Sequence, residues 1–215
     1  MHSILPQNEN PALRQIAQEL PVGEIKNKKT QNLIKEMKAL LSKENYGVAL
    51  AAPQVGEALR LFIVSGKALA RGKRNAPDTG TVEETPKDSP EPSPSASYGV
   101  NKLPTGQAPR ENPEESPRPS EPALPDQVYI NPRLLKTSRG KSPKHEGCLS
   151  IRGKWGIVPR VEKATVRAYD ENGVQFTRGA SGFLAHIFQH ELDHLEGVLY
   201  TDKAIEIYDE PEEKE

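Results

Sequence analysis

His190 and His194 stand four residues apart in Gln189-His190-Glu191-Leu192-Asp193-His194-Leu195-Glu196-Gly197, with Glu191 directly after the first of them. In a helix, residues four apart project from nearly the same side, so both imidazoles can grip one metal ion. At roughly 100° per residue, Leu184, Ile187, Phe188, Leu195 and Val198 form one apolar stripe, and Glu191 lies in its middle. A carboxylate there carries a desolvation cost that packing alone would not select, which marks it as functional.

Two imidazoles leave a divalent ion short of ligands, because a catalytic site takes three from the protein and keeps one position for water. His2, His145, His186 and many carboxylates are candidates for the third. So is Cys148, the only cysteine, set in the glycine-flanked stretch His145-Glu146-Gly147-Cys148-Leu149-Ser150-Ile151. A thiolate there would complete a Cys-His-His site whose fourth position holds water. The ion would acidify that water, and Glu191 could take its proton and later deliver one to a leaving group. This is metal-assisted hydrolysis of an amide-like bond. Its transition state places negative charge on a former carbonyl oxygen, which requires preorganised donors. The side-chain amide of Gln54 and the backbone N–H of Leu149 are candidates for them.

These residues need a scaffold. The chain has 215 residues, enough for one domain with a buried core, and its net charge of -1 gives no general attraction for nucleic acid or an anionic membrane. No apolar run reaches the roughly 18 residues of a spanning helix, and Met1-His2-Ser3-Ile4-Leu5-Pro6 lacks the pattern of a signal peptide. One free cysteine suits a reducing compartment. A cytoplasmic, monomeric protein is expected.

Asn10-Pro11 followed by Leu13, Ile16, Ala17 and Leu20 predicts a capped helix with proline at its first position. A second helix is predicted from Thr30 to Lys43 on the stripe Leu33, Ile34, Met37, Leu40 and Leu41. Tyr46 to Gly56 reads as a loop and Arg60 to Ser65 as a strand. Gln127 to Pro132 reads as a strand ended by Asn-Pro. The alternation of Ala164, Val166 and Ala168, the turn Asp170-Glu171-Asn172-Gly173 and the return Val174 to Thr177 predict a hairpin. Ser181 or Gly182 opens the histidine helix and Gly197 closes it.

Mean hydropathy is -0.70, but the deficit is concentrated in one segment. Twelve of the twenty prolines fall between Pro77 and Pro125, among Ser, Glu, Lys and Gly. Residues 66–126 are therefore expected to form a disordered insertion, unable to bury enough surface to offset its ordering entropy. Lengthening a flexible loop costs only about 0.6 kcal/mol per doubling, so a catalytic domain of residues 1–65 and 127–205 tolerates it. Residues 206–215 are expected to be a frayed acidic tail.

Gly47-Val48-Ala49-Leu50-Ala51-Ala52-Pro53-Gln54, Glu146-Gly147-Cys148-Leu149-Ser150 and Gln189-His190-Glu191-Leu192-Asp193-His194, in this order, resemble the three signature motifs of peptide deformylases. The resemblance extends over residues 5–65 and 127–204. It implies an α+β fold, with antiparallel β-sheets packed around a central helix carrying the H-E-x-x-H pattern. It implies a metal held by Cys148, His190 and His194, usually Fe2+, replaceable by Zn2+, Ni2+ or Co2+. Glu191 matches the catalytic acid/base, Gln54 and the Leu149 amide the oxyanion donors. Val48, Phe183, His186 and Ile187 match positions lining the methionine pocket, and Ala49 a position whose backbone pairs with the substrate. The implied substrates are nascent N-formylmethionyl polypeptides, with formate as product and the ribosome as a family-level partner.

Three positions depart from the family pattern. Ala49 stands where the first motif carries a second glycine, and its methyl would crowd the substrate or be tolerated. Arg152 stands where a proline is common. His186, one turn before His190, is read as a pocket-rim residue in preference to a ligand. The rival functions are a metallopeptidase, and a non-catalytic peptide-binding protein that keeps the fold.

Overall fold

In the apolar run Leu61-Phe62-Ile63-Val64 no residue is more than 1% exposed. Alternate residues of a strand face opposite ways, so such a run requires a cover on both faces of its sheet. The computed structural model, which describes residues 2–74 and 124–209, supplies both covers. The fold is α+β, with antiparallel sheets. Strands β1 (Ala49–Ala51), β2 (Leu61–Val64), β3 (Gln127–Thr137), β6 (Lys163–Tyr169) and β7 (Gln175–Ser181) form one sheet in the order β1-β2-β3-β6-β7. Phe62, Val64, Ala51 and Tyr129 face helix α3 (Gly182–Leu195) and bury Ala185, Ile187 and Phe188 against them. Leu61, Ile63, Leu50 and Ile130 face helix α1 (Lys28–Lys43), whose Leu33, Ile34, Met37 and Leu41 complete a second core. Phe62 stacks on Tyr129 with ring centroids 4.6 Å apart, and Phe188 meets Tyr129 edge-on at 5.2 Å. A second sheet holds β4 (Lys141–Cys148), β5 (Ile151–Val161) and β8 (Glu206–Asp209) in the order β4-β5-β8.

Four expectations are corrected here. The helix expected after Asn10 is only a 3-10 turn, Pro11–Arg14. Asn10 caps it by accepting from Ala12 N–H, but Ala17 N–H donates to Leu195 O and Gln18 N–H to Ala58 O. Tertiary partners claim the amides that a longer helix would have used. The strand expected to end at Asn131-Pro132 continues to Thr137. Asn131 adopts φ 49° at a register shift against β6, and its side-chain amide bonds both N–H and C=O of Leu20, so the chain bulges and goes on.

The insertion does not begin at residue 66. Gly66–Arg74 forms helix α2, capped by Ser65 Oγ accepting from Ala68 N–H at 3.2 Å, with Ala68 and Leu69 in the α3 core. The remaining expectation of disorder, residues 75–123, lies outside the described residues. Nor is the stretch after 205 wholly a tail: Glu206–Asp209 is β8, paired Trp155 to Tyr208 and Gly156 to Ile207 along β5. A short helix, α4 (Tyr200–Lys203), leads into it.

The amino-terminal arm is latched by His2. Its backbone N–H and Nδ1 lie 2.8 and 2.7 Å from Glu36 Oε2, and Nε2 lies 3.2 Å from Glu57 Oε1. The Glu36 hydrogen bond is the largest influence and, with Glu57, raises the His2 pKa above its ordinary 6.5 against a smaller opposing effect of burial. A raised folded-state pKa gives stability that is complete below the unfolded value and lost as pH rises through the folded one. Wild type should therefore melt above His2→Ala by a margin that is widest near about pH 6 and shrinks toward about pH 9, as measured by thermal scans across that range. A margin constant across it would show that the charge has no part in the latch.

Candidate metal centre

Helix α3 is set against β5 by Gln189, which copies a strand neighbour: its Oε1 accepts from Val161 N–H and its Nε2 donates to Val161 O, each at 3.0 Å. Gly197 ends the turn after α3 at φ +70°, and a Cβ there would lie 2.9 Å from the Arg14 backbone, so only glycine lets the chain close. Between these points Glu191 and His194 are buried, at 3% and 1% exposure, and His190 is half-buried.

Cys148 comes from the end of β4. A register shift between Glu146 and Cys148 breaks the regular pairing with β5 and turns the thiol toward α3. One donor atom from each of Cys148, His190 and His194 lies within 4.8 Å of the others, and Cys148 Sγ is 3.4 Å from His194 Nε2. Sulfur and nitrogen bound to one tetrahedral cation stand about 3.6 Å apart, from ligand distances of about 2.3 and 2.1 Å. The donor set therefore fits a divalent ion. His145, also a candidate from sequence, instead contacts Tyr208 Oη at 2.6 Å, and His2 serves the latch.

Gln54 sits in a 3-10 turn, Ala52–Val55, and is 2% exposed. Its Oε1 accepts from Ala51 N–H at 2.8 Å. Because a backbone amide can only donate, this bond fixes the side-chain orientation and presents Nε2, 3.4 Å from Cys148 Sγ, as a donor to the centre. Leu149 occupies the turn directly after Cys148, half-buried against the second core.

Glu191 Oε2 and His194 Nδ1 are buried without a hydrogen-bond partner among the described residues. Burial pushes the Glu191 carboxyl up to about 7, with His190 pulling it down and Glu146 adding to the rise. Burial, reinforced by His190, drops His194 well below its ordinary value. His190 is likewise depressed by burial, but its bonds to Cys148 and Glu146 outweigh that and hold it well above.

Glu146 was only a motif letter in the sequence, and Arg160 and Asp193 had no assigned part. The structure gives all three one. Arg160, its side chain 4% exposed, grips Glu146 through Nε at 2.6 Å and Nη2 at 3.0 Å, and reaches Asp193 on α3 through Nη1 at 2.6 Å. Glu146 Oε2 accepts from His190 Nδ1 at 2.7 Å, which turns the other ring nitrogen toward the thiol. Although burial works the other way, hydrogen bonds from His186, His190 and Arg160 hold the Glu146 carboxyl well below the usual carboxylate range. The residue types carried a faint signal, an arginine and two acids near the ligands, but their spacings of 14 and 33 residues predict no contact.

The arm from Leu5 to Ala17 was also missed. Leu5 N–H donates to Gln54 O, Gln7 N–H to Ser150 O, Asn10 Nδ2 to Pro53 O at 2.7 Å, and Ala17 N–H to Leu195 O. It thus ties the first two motifs to the residue directly after the third, through three main-chain bonds and the Asn10 side chain.

Of the positions expected to meet substrate, Val48 and Phe183 are half-buried beside the α3 core, and Ile187 is buried within it. Arg71 lies over the Phe183 ring, 4.6 Å from its centroid. His186 has its Nε2 2.9 Å from Glu146 Oε1. Arg152 is on the surface, paired with Glu44 at 2.9 Å. Ala49 is 5% exposed and its methyl belongs to the α3 core, pointing into the protein. Ala49→Gly should therefore cost about 1 kcal/mol of stability in urea unfolding, as glycine in a strand does, and leave KM for peptide within about twofold. A large fall in KM would show that the methyl crowds the substrate.

The family model described as polypeptide deformylase matches residues 1–87 and 98–210. The peptide deformylase of Halothermothrix orenii is 34% identical over 201 residues, which cover 94% of this chain and 92% of that protein. The chloroplastic peptide deformylase 1A of Solanum lycopersicum is 30% identical over 90% of this chain, which spans 56% of that longer protein. The crystal structure of a peptide deformylase from Legionella pneumophila superposes with a TM-score of 0.61 at 27% identity, covering 94% of this chain and 85% of that one.

Proposed function

The chain belongs to the polypeptide deformylase family, and on that premise we propose that it hydrolyses the formamide of N-terminal formylmethionine on newly made polypeptides, releasing formate. The convergence of Cys148, His190 and His194 donors within 4.8 Å carries this reading. A divalent cation held by these residues supplies Lewis acidity, which polarises a carbonyl and acidifies a water. Everything else falls to the chain. Glu191 accepts the proton of the attacking water and delivers it to the departing amine nitrogen, a task suited to a carboxyl raised to about 7. Gln54 Nε2–H and the Leu149 amide N–H donate to the oxygen that gains charge. Val48, Phe183, Ile187 and His186 wall the methionine side chain, and the backbone at Ala49 pairs with the peptide. The arrangement of the sheets around α3 as the central helix is supported by its packing against β1, β6 and β7.

Fe2+ is the proposed native metal, with Zn2+, Ni2+ and Co2+ as substitutes. An iron thiolate would make activity oxygen-sensitive through oxidation of Cys148. A cytoplasmic monomer that meets its substrates at the ribosome is proposed with it. Among the described residues no helix is long and apolar enough to cross a membrane. The rivals are not favoured: a metallopeptidase leaves the full set of three deformylase motifs unexplained, and a mere binder does not account for a buried Glu191 and an oriented Gln54. Fe2+- or Ni2+-loaded protein should release formate from formyl-Met peptides and leave unformylated peptides uncut. Normal metal content with no formate would overturn the proposal.

A further inference from the structure

Two imidazoles on α3, one turn apart, reach the same buried carboxylate. Glu146 Oε1 receives a hydrogen bond from Arg160 Nε at 2.6 Å and lies in ion-pair contact with His186 Nε2 at 2.9 Å; Oε2 receives Arg160 Nη2 at 3.0 Å and His190 Nδ1 at 2.7 Å. An ionised carboxylate accepts hydrogen bonds and donates none, so the ring nitrogen that each histidine turns to Glu146 carries its proton toward it. For His190 that leaves Nε2 free to meet the metal. For His186 it fixes Nε2–H, with the side chain 13% exposed and held from behind by Phe183, whose ring stands edge-on at a centroid distance of 6.4 Å.

We infer that His186 is a positioning residue for the metal centre: by occupying Glu146 Oε1 it holds the carboxylate at the angle from which Oε2 orients His190. The inference rests on the deformylase reading, which uses His186 only as part of a pocket wall. Arg160 grips Glu146 through a planar fork from β5, and His190 reaches only Oε2. The His186 contact meets the other oxygen, Oε1, from the α3 side, so that α3 touches both oxygens of the carboxylate. It joins carboxylate and ligand helix into one unit, since both imidazoles belong to α3. Partners that orient a metal ligand change metal affinity or activity by about 10–100-fold when removed, and one acting a further bond away belongs at the lower end.

The full-length protein loaded with Co2+ is compared as wild type, His186→Leu, His186→Asn and His186→Gln. Peptide-free metal loss to excess EDTA is followed by the cobalt–thiolate absorption, and formate release from a formyl-Met peptide is measured in parallel. His186→Leu should lose metal about 10-fold faster, with a shifted cobalt spectrum. His186→Asn, whose amide is too short to reach Glu146, should do the same, and it decides the matter if the leucine variant does not fold. His186→Gln, which can place an N–H near the imidazole Nε2, should come back to within about threefold of wild type. Wild-type metal loss in the leucine or asparagine variant would overturn the inference, as would a change confined to KM, which is all that a pocket wall produces. The two readings fail separately: absent formate release from metal-loaded wild type sinks the deformylase assignment, whereas equal chelation rates sink only the role of His186.

Discussion

Glu191→Gln should reduce formate release by about 10²–10⁴-fold while leaving one metal bound per chain, because general acid/base transfer contributes on that scale. The substitution keeps shape and burial and removes only the ability to take a proton. Glu191 is 3% exposed and its Oε2 has no partner among the described residues, so it anchors no part of the fold. The proposed metal ligands are Cys148, His190 and His194, and His190 is oriented by Glu146, not by Glu191. Loss of turnover should therefore appear in kcat, with metal content, cobalt spectrum and melting temperature close to wild type. Because the glutamine no longer bears a charge in a buried site, a slight rise in melting temperature is also expected. Metal analysis beside formate release checks this. Wild-type kcat in the variant would remove Glu191 from the reaction, and loss of metal would make it a structural neighbour of the ligands.

The candidate site was readable in the sequence to the extent that its proposed chemistry demands particular residue types at short spacing. His190, Glu191 and His194 share one helical stretch, and Cys148 is unique in the chain. Gln54 and Leu149 are different: a lone glutamine and a backbone amide carry no pattern of their own, and only resemblance of the surrounding motifs singles them out as proposed oxyanion donors. The fold was readable where a period spans a whole element, as in the Leu33 to Leu41 stripe of α1 or the alternation of β6. It was not readable where a neighbour decides. Four residues of β8 form because β5 presents an edge, and the segment after Asn10 stays out of a helix because Leu195 and Ala58 take its amides. Helix α2 was hidden by a gradual change of composition: Ala68 and Leu69 are its buried apolar pair, and charged residues and glycine merge into the proline-rich stretch. The support beneath His190 was invisible for a further reason. Ion pairs over long separations have no sequence period, so Glu146 and Arg160 could be joined only by the pairing of β4 with β5.

That support carries the second large expected effect. Glu146→Ala should cost about 3–5 kcal/mol of folding stability, because it leaves the buried Arg160 guanidinium without its main counter-charge. Asp193 remains as its only other carboxylate partner among the described residues, and Asp193 also serves Lys203 at 2.6 Å. Urea unfolding in excess EDTA measures the loss apart from any metal contribution, since a ligand bound only to the native state would add its own stability. Replacing both members, Glu146→Met with Arg160→Met, removes the unpaired charge and should regain a substantial part of the lost stability, as buried pairs replaced by apolar residues do. Metal retention should not return with it. His190 Nδ1–H has no acceptor in either variant, so metal loss to EDTA should stay about 10–100-fold faster than in wild type. The two measurements separate two duties of one carboxylate: balancing Arg160 is a matter of folding, and aiming His190 is a matter of the metal. If the double variant recovered both, the orientation of His190 would come from the packing of α3 alone. If Glu146→Ala unfolded at the wild-type urea concentration, Arg160 would have found water or Asp193 sufficient, and the buried pair would contribute little to the fold.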